Sequence, residues 1–202
     1  TEARKMVVEL IWSSGDHNCL QCESNGQCEL QDLVYRLGIE KPRFEIDPPG
    51  YPVDNSNTMI FRDLNKCVLC GRCIRGCNEI QVNEVLDFAQ RGNRMKVGPA
   101  FDEDYIKSSC VFCGECMQDC PTGAIINKQG RFQGRPWEIE KVRTTCTYCG
   151  VGCQLDLNVF DGKVVKVTSD RSHGAPNWGS LCVKGRFANE FIHSPDRLTT
   201  PL

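Results

Sequence analysis

The sequence has no long hydrophobic run: nothing in it approaches the roughly 18 to 20 consecutive apolar residues of a membrane-spanning helix. Nor is a basic segment followed by an apolar one, so no secretory leader is visible and a cytoplasmic location is expected. An excess of charge of one sign is also missing. Lys and Arg number 24 against 26 Asp and Glu, for a formal net charge of −2, which offers no basic face to nucleic acid. Aromatic residues make up only 8% of 202 positions and histidine occurs three times, so large apolar cores are not expected. An initiating methionine is absent at Thr1, and the chain stops after Arg197-Leu198-Thr199-Thr200-Pro201 with no terminating signal. A fragment of a larger protein is therefore expected.

Cysteine is abundant instead, with 15 copies. Disulfides in an oxidising compartment and metal in a reducing one are the two explanations for such a count. All but Cys182 fall in tight C-x2-C-type groups, each presenting thiolates from one loop towards a shared centre. That is metal geometry, and the odd total also argues against complete disulfide pairing.

Between these groups the chain reads as small modules of mixed helix and strand, an α+β class held by metal. Ala3, Met6, Val7, Leu10 and Ile11 recur at helical spacing and predict a helix over 2–13 with a core-facing stripe. A second helix is expected after Cys28, with Leu30, Leu33, Val34 and Leu37 as its stripe and Gly38 as its stop. Pro42, Pro48, Pro49, Gly50 and Pro52 predict an extended connection. Strands are expected near Val82–Phe88 and Met95–Val97. Further on, Leu155, Leu157 and Val159 alternate, Asp161-Gly162 offers a tight turn, and Val165 and Val167 alternate again, which predicts a hairpin. A helix over Gly185–Ile192 carrying Phe187 and Phe191 should end before Ser194-Pro195. The expected division is a module at 1–40, a linker at 41–60, a module at 61–130, a linker at 131–140 and a module at 141–202.

The middle module is a repeat. Cys67-Val68-Leu69-Cys70-Gly71-Arg72-Cys73 resembles Cys110-Val111-Phe112-Cys113-Gly114-Glu115-Cys116, and each copy adds a fourth cysteine, Cys77 or Cys120. C-x2-C-x2-C-x3-C is the pattern of bacterial two-cluster ferredoxins, in which the fourth cysteine of each run ligates the other [4Fe–4S] cluster. The expected sets are Cys67, Cys70, Cys73 and Cys120 for one cluster and Cys110, Cys113, Cys116 and Cys77 for its neighbour. Pro121 follows Cys120 as the pattern asks, whereas Asn78 replaces the proline expected after Cys77. Zinc, which favours two separated C-x2-C knuckles around one tetrahedral ion, fits two complete four-cysteine runs poorly.

Cys146, Cys149, Cys153 and Cys182 suit a zinc ion or a cluster equally when taken alone. Their surroundings decide: Cys146-Thr147-Tyr148-Cys149-Gly150-Val151-Gly152-Cys153 and Leu181-Cys182-Val183-Lys184-Gly185-Arg186-Phe187 resemble the cluster segment of the molybdenum- or tungsten-bis-pterin oxidoreductases, formate dehydrogenases above all. The resemblance implies a [4Fe–4S] cluster on these four cysteines and places Lys184 on the path from cluster to pterin. The ending from Pro195 to Leu202 is also similar to that family just before its catalytic domains. At the other end, Cys19, Cys22 and Cys28 leave a cubane one ligand short. They resemble the histidine-ligated cluster segment shared by formate dehydrogenases, iron-iron hydrogenases and the large peripheral subunit of respiratory NADH dehydrogenases. The family histidine lies four residues before the first cysteine, where this chain has Gly15; the nearby candidates are His17 and, as an oxygen ligand, Asp16.

The order of the three segments resembles a cytoplasmic formate dehydrogenase large subunit. It implies an electron relay of four [4Fe–4S] clusters, a preceding [2Fe–2S] domain, a following Mo/W-bis-pterin guanine dinucleotide domain, and redox partner subunits linked to NAD(P), ferredoxin or hydrogen. No catalytic residue is expected within these 202 positions. The alternatives are a stand-alone polyferredoxin-type subunit, the relay of a hydrogenase or NADH dehydrogenase, and a zinc-stabilised interaction protein. Each all-thiolate cubane adds about two negative charges when oxidised. Lys66, Arg72, Arg75, Lys184 and Arg186 stand beside the cysteines to offset them, although solvated surface is their ordinary expectation.

Overall fold

A computed structural model describes residues 1–200, so the last two positions of the Pro195–Leu202 ending lie outside the described residues. The N-terminal module is two helices, α1 (Glu2–Ser13) and α2 (Glu29–Arg36), packed on each other. Val8, Leu30, Val34 and Ile39 form its core, with Ile11, Trp12, Cys28 and Val68 against it. The inward face of α1 is thus rotated from the expected one. Met6, Val7 and Leu10 are exposed, as is Leu33 of α2. Helix α2 ends at Gly38, whose φ of +59 suits glycine; the Ile39 N–H then reaches the Val34 carbonyl and closes the last turn. The proline-rich stretch that follows has no regular element. It is nevertheless tied down, because the Asp47 N–H donates to the Ser13 carbonyl and the Tyr51 N–H to Asn65 Oδ1.

In the central module the repeat supplies two short helices, α3 (Arg72–Arg75), which runs into a π-helical turn at Gly76–Ile80, and α4 (Glu115–Gln118). Around them lie β1 (Ile60–Arg62), β2 (Asp87–Ala89), β3 (Lys96–Gly98) and β4 (Ile125–Asn127). β1 pairs antiparallel with β4, Ile60 opposite Asn127, and β2 with β3, Asp87 opposite Gly98. The first expected strand is therefore shorter and later than Val82–Phe88: Val82 and Glu84 have positive φ and cannot extend a ladder, so pairing starts only at Asp87. The core gathers Ile60, Val85, Leu86, Val97, Tyr105, Ala124 and Ile125 with Cys73, Cys77 and Cys116.

The third module is a three-stranded sheet in the order β5 (Glu140–Thr145), β6 (Gln154–Phe160) and β7 (Lys163–Thr168). The expected hairpin is there: Asp161 and Gly162, with φ of +47 and +71, form a two-residue turn of the type that matches strand twist. β5 was not expected; all six of its residues are exposed on an edge, and they show no apolar alternation. The expected helix over 185–192 is two pieces, α5 (Val183–Phe187) and a 3₁₀ turn (Glu190–His193), because Ala188 leaves the helical region at φ −89, ψ 61. Phe187 is buried in the central core, while Phe191 stacks edge-on against Tyr148. No helix among the described residues is long and apolar enough to cross a membrane.

Candidate metal centres

The two halves of the repeat fold alike. Leu69 and Gly71 in the first loop, and Phe112 and Gly114 in the second, take left-handed backbone conformations, with φ of +52, +70, +51 and +76. Each loop curls around its first cysteine, so that the Leu69 N–H points at Cys67 Sγ and the Phe112 N–H at Cys110 Sγ, both at 3.4 Å. Each glycine then caps the short helix that carries the third cysteine. Cys67, Cys70, Cys73 and Cys120 line one cavity, walled by Leu64, Val97 and Ile125. Cys77, Cys110, Cys113 and Cys116 line a second, walled by Ile60, Val85 and Tyr105. The fourth cysteine of each run is thus at the other run's cavity.

These cavities resist bare thiolates. Burial, with the neighbouring Cys120 adding to it, pushes the Cys67 thiol up to about 11 and the Cys73 thiol up to about 12. Burial, followed by the proximity of Cys73, also raises Cys116 well above its ordinary value. Four deprotonated sulfurs in such a place need a compensating cationic centre. Among the described residues no three His, Cys, Asp or Glu side chains converge tightly enough for a single metal ion. The donor set, all sulfur with apolar walls and supplied by two complete four-cysteine runs, fits iron–sulfur cubanes rather than one tetrahedral zinc, whose ligands close to about 2.3 Å.

The N-terminal group is built on the approach to α2. Cys19 opens a 3₁₀ turn, the Cys22 N–H returns to the Cys19 carbonyl, and Cys28 is the residue before α2. Burial raises Cys28, opposed by the N–H groups of Gln31 and Leu30, and both Cys22 and Cys19 are close enough to raise it further. Asp16 is exposed, whereas the Nε2 of His17 is buried with no hydrogen-bond partner. Desolvation lowers the His17 pKa, opposed by Asp16, so the imidazole is biased towards the neutral form that ligates metal. A Cβ on Gly15 would lie 2.6 Å from His17 Nε2. The imidazole of His17 therefore fills the space where a side chain at position 15 would begin.

At the C-terminal group, the Cys146 N–H donates to the Cys153 carbonyl at 2.8 Å. Burial, then Cys146, Cys149 and Cys182 in turn, raise Cys153, so the four sulfurs share one locality. Cys149 and Cys182 are exposed, and so is Lys184 on α5. The basic residues beside the cysteines divide. Arg72 pairs with Glu29 at the surface, but Lys66 is half-buried against the buried Asp63 and Arg186 is 1% exposed, contrary to the solvated reading.

The four groups form a row. Cys22 Sγ abuts Gly123, just past Cys120, at 2.7 Å from where a Cβ would be, and the Glu29 N–H donates to the Pro121 carbonyl. Cys73 and Cys116 adjoin across the two central cavities. At the far side the Arg186 Nε donates to the Cys113 carbonyl at 2.8 Å. Nothing in the residue pattern pointed to Arg186, Glu115, Arg171 or Tyr105 in this arrangement. Glu115 is fully buried and ion-paired to Arg171, and the Tyr105 hydroxyl lies 4.0 Å from Cys116 Sγ. The one signal that could have served is that Glu115 stands where the first repeat has Arg72.

Comparison with known proteins agrees with this layout. Residues 4–43 match the NADH-ubiquinone oxidoreductase-G iron-sulfur binding region, 66–124 a 4Fe-4S dicluster domain and 139–194 the molybdopterin oxidoreductase Fe4S4 domain. Segment by segment, the chain is similar to the iron–sulfur electron-transfer region of molybdopterin oxidoreductases of the NADH-ubiquinone oxidoreductase-G type. Among curated relatives, it is 34% identical to the NADPH-Fe(3+) oxidoreductase subunit alpha of Geobacter sulfurreducens over 205 residues, 98% of this chain and 23% of the relative. It is also 34% identical to an NADH-quinone oxidoreductase subunit of Rhizobium meliloti, covering 100% of this chain and 23% of the relative. With a putative formate dehydrogenase of Staphylococcus haemolyticus it shares 31% over 240 residues, 99% of this chain and 24% of the relative. The chain thus spans about a quarter of the length of these relatives. A crystal structure of NAD+-reducing [NiFe]-hydrogenase in the H2-reduced state superposes with a TM-score of 0.61 at 27% identity, over 66% of this chain and 57% of that one.

Proposed function

We propose that this chain is a relay of four [4Fe–4S] clusters within a larger redox subunit. The observation that carries the reading is the unbroken row of four cysteine groups, its two central members being apolar-walled sites lined by four cysteines each. The ligand sets are His17, Cys19, Cys22 and Cys28; Cys67, Cys70, Cys73 and Cys120; Cys110, Cys113, Cys116 and Cys77; and Cys146, Cys149, Cys153 and Cys182. Each cluster, when bound, supplies a one-electron redox centre. The residues of the chain hold the centres in line, give the inner two apolar walls in Ile60, Leu64, Val97 and Tyr105, and direct N–H groups at the coordinating sulfurs. His17 takes the fourth place at the first site because its unpartnered Nε2 is buried beside Gly15, while Asp16 faces solvent.

In the parent protein the row runs from a partner linked to a pyridine nucleotide, ferredoxin or hydrogen at the His17 end to a Mo/W-bis-pterin domain at the Lys184 end. A [2Fe–2S] domain and a cytoplasmic location belong to the same reading. Two relatives named for NADPH or NADH oxidoreduction align over 205 and 204 residues and favour a pyridine-nucleotide partner. The putative formate dehydrogenases favour formate as the substrate of the pterin domain, in alignments that lengthen to 240 or 241 residues.

Iron and acid-labile sulfide in anaerobically purified protein test the relay: about sixteen of each per chain are expected from four cubanes. In H17A both should fall towards about twelve, and in D16A they should not change. Iron-free protein with stoichiometric zinc overturns the reading. Addition of formate to the reoxidised full-length protein tests the pterin end and NADPH, with the partner present, tests the other; each should bleach the visible absorption, and failure of either overturns the assignment of that end.

A further inference from the structure

Arg186 is the most deeply buried arginine among the described residues, and it belongs to one cluster segment while touching another. Its backbone N–H donates to the carbonyl of Cys182 at 3.0 Å. Its side chain leaves the third module and enters the ferredoxin repeat, where Nε donates to the carbonyl of Cys113 at 2.8 Å and Nη2 to Gln118 Oε1 at 3.0 Å. Gly114 makes room for it, since a Cβ there would lie 2.3 Å from Arg186 Cδ. One residue thus joins a cysteine of the last group to a cysteine of the third through two hydrogen bonds and a saturated side chain. Its ion pair is a long one, shared with a second arginine. Glu115, also fully buried, stands 3.9 Å away and is itself engaged at 2.8 Å by Arg171.

We propose that Arg186 is a positioning residue for electron transfer between the Cys146–Cys182 group and the Cys77/Cys110/Cys113/Cys116 group, and that its charge sets the potential of the latter. The inference rests on the four-cluster reading above. Only one electron moves in the step, gained by one centre as it is lost by the other, with no atom or proton transferred. A fixed positive charge in a poorly solvated place favours whichever redox state carries more negative charge, which is the reduced one. Arg186 therefore raises the potential of the centre beside Cys113, and the fully buried Glu115 lowers it.

The test is potentiometric titration followed by electron paramagnetic resonance on the anaerobically purified full-length protein, comparing the parent, R186Q, R186K and E115Q. In R186Q one centre should become harder to reduce by at least a tenfold change in its reduced-to-oxidised ratio at fixed ambient potential, about 59 mV for a one-electron couple. The other three should hold still. R186K, which retains the charge, should recover most of that shift. R186Q with full iron content and four unmoved potentials overturns the proposal. Should R186Q lose iron, the isosteric E115Q decides: a raised potential for the same centre supports the assignment, and an unchanged or lowered one overturns it. Iron well below sixteen in the parent protein would instead sink the four-cluster reading itself.

Discussion

Gly71 and Gly114 occupy the same place in the two halves of the repeat and have nearly the same backbone, yet they answer to different neighbours. Around Gly71 a methyl group would meet Arg75 and Phe88 at 3.4 Å, an ordinary contact. At Gly114 it would collide with the buried Arg186. G71A should therefore cost only the left-handed strain of a side chain at positive φ, about 1–2 kcal/mol. G114A should cost more and should shift the same redox centre as R186Q. Thermal bleaching of the visible absorption compares the two, and equal loss in both would contradict this difference. Single residues also mark where sequence reading stops. The cysteine spacing and the two glycines announce ligand loops because nothing else needs them in that pattern. Arg186 announces nothing, since a basic residue beside a cysteine is the same letter whether it faces water or another module.

At the scale of elements, α1, α2 and the β6–β7 hairpin were legible because each is long enough to show a period or ends on a residue with one conformational meaning. The facing of α1 was not, because Met6, Val7 and Val8 are adjacent and apolar, and only packing against α2 selects Val8. β1 and β4 escaped for another reason. Each has three residues, too short for alternation, and what fixes them is a polar anchor at the end of β1. The buried Arg62 of β1 stacks on Tyr105 and donates to Asp54 Oδ2, which also accepts from the Tyr105 N–H. Burial alone would raise the Asp54 carboxyl, but hydrogen bonds from Ser56 and Tyr105, with Arg62, outweigh it and hold the group below its ordinary value. A depressed carboxylate contributes stability that is complete above its unfolded pKa, near 3.9, and is lost only as pH falls through the folded value. D54N should thus be destabilised by about 1–3 kcal/mol, with the same gap from the parent at pH 8 as at pH 5.5. A gap that narrows across that interval would contradict the sign.

For the molecule as a whole, apolar packing is thin. The third module is centred on Leu155, Val167 and Leu181, and the first on four residues, while three of the central core's members are themselves candidate ligands. In such a chain the free energy of metal binding becomes free energy of folding. Removing iron with a strong chelator should therefore abolish resistance to limited proteolysis across the central module, not merely bleach the colour. Survival of a protease-resistant 61–130 core in iron-free protein would show that the apolar contacts suffice alone.

The exchange of the fourth cysteine between the two central cavities bears on the order in which the protein is made. Cys67, Cys70 and Cys73 leave the ribosome well before Cys120, a delay of roughly 3 to 10 seconds at 5–20 residues per second. Cys77 waits in the same way for Cys110. On the crossed assignment neither central site can close on a nascent chain until nearly the whole repeat has been synthesised, so cluster insertion is a late and coupled event. During that interval four thiols stand ready for oxidation, and a chain broken anywhere between the two runs would carry neither centre.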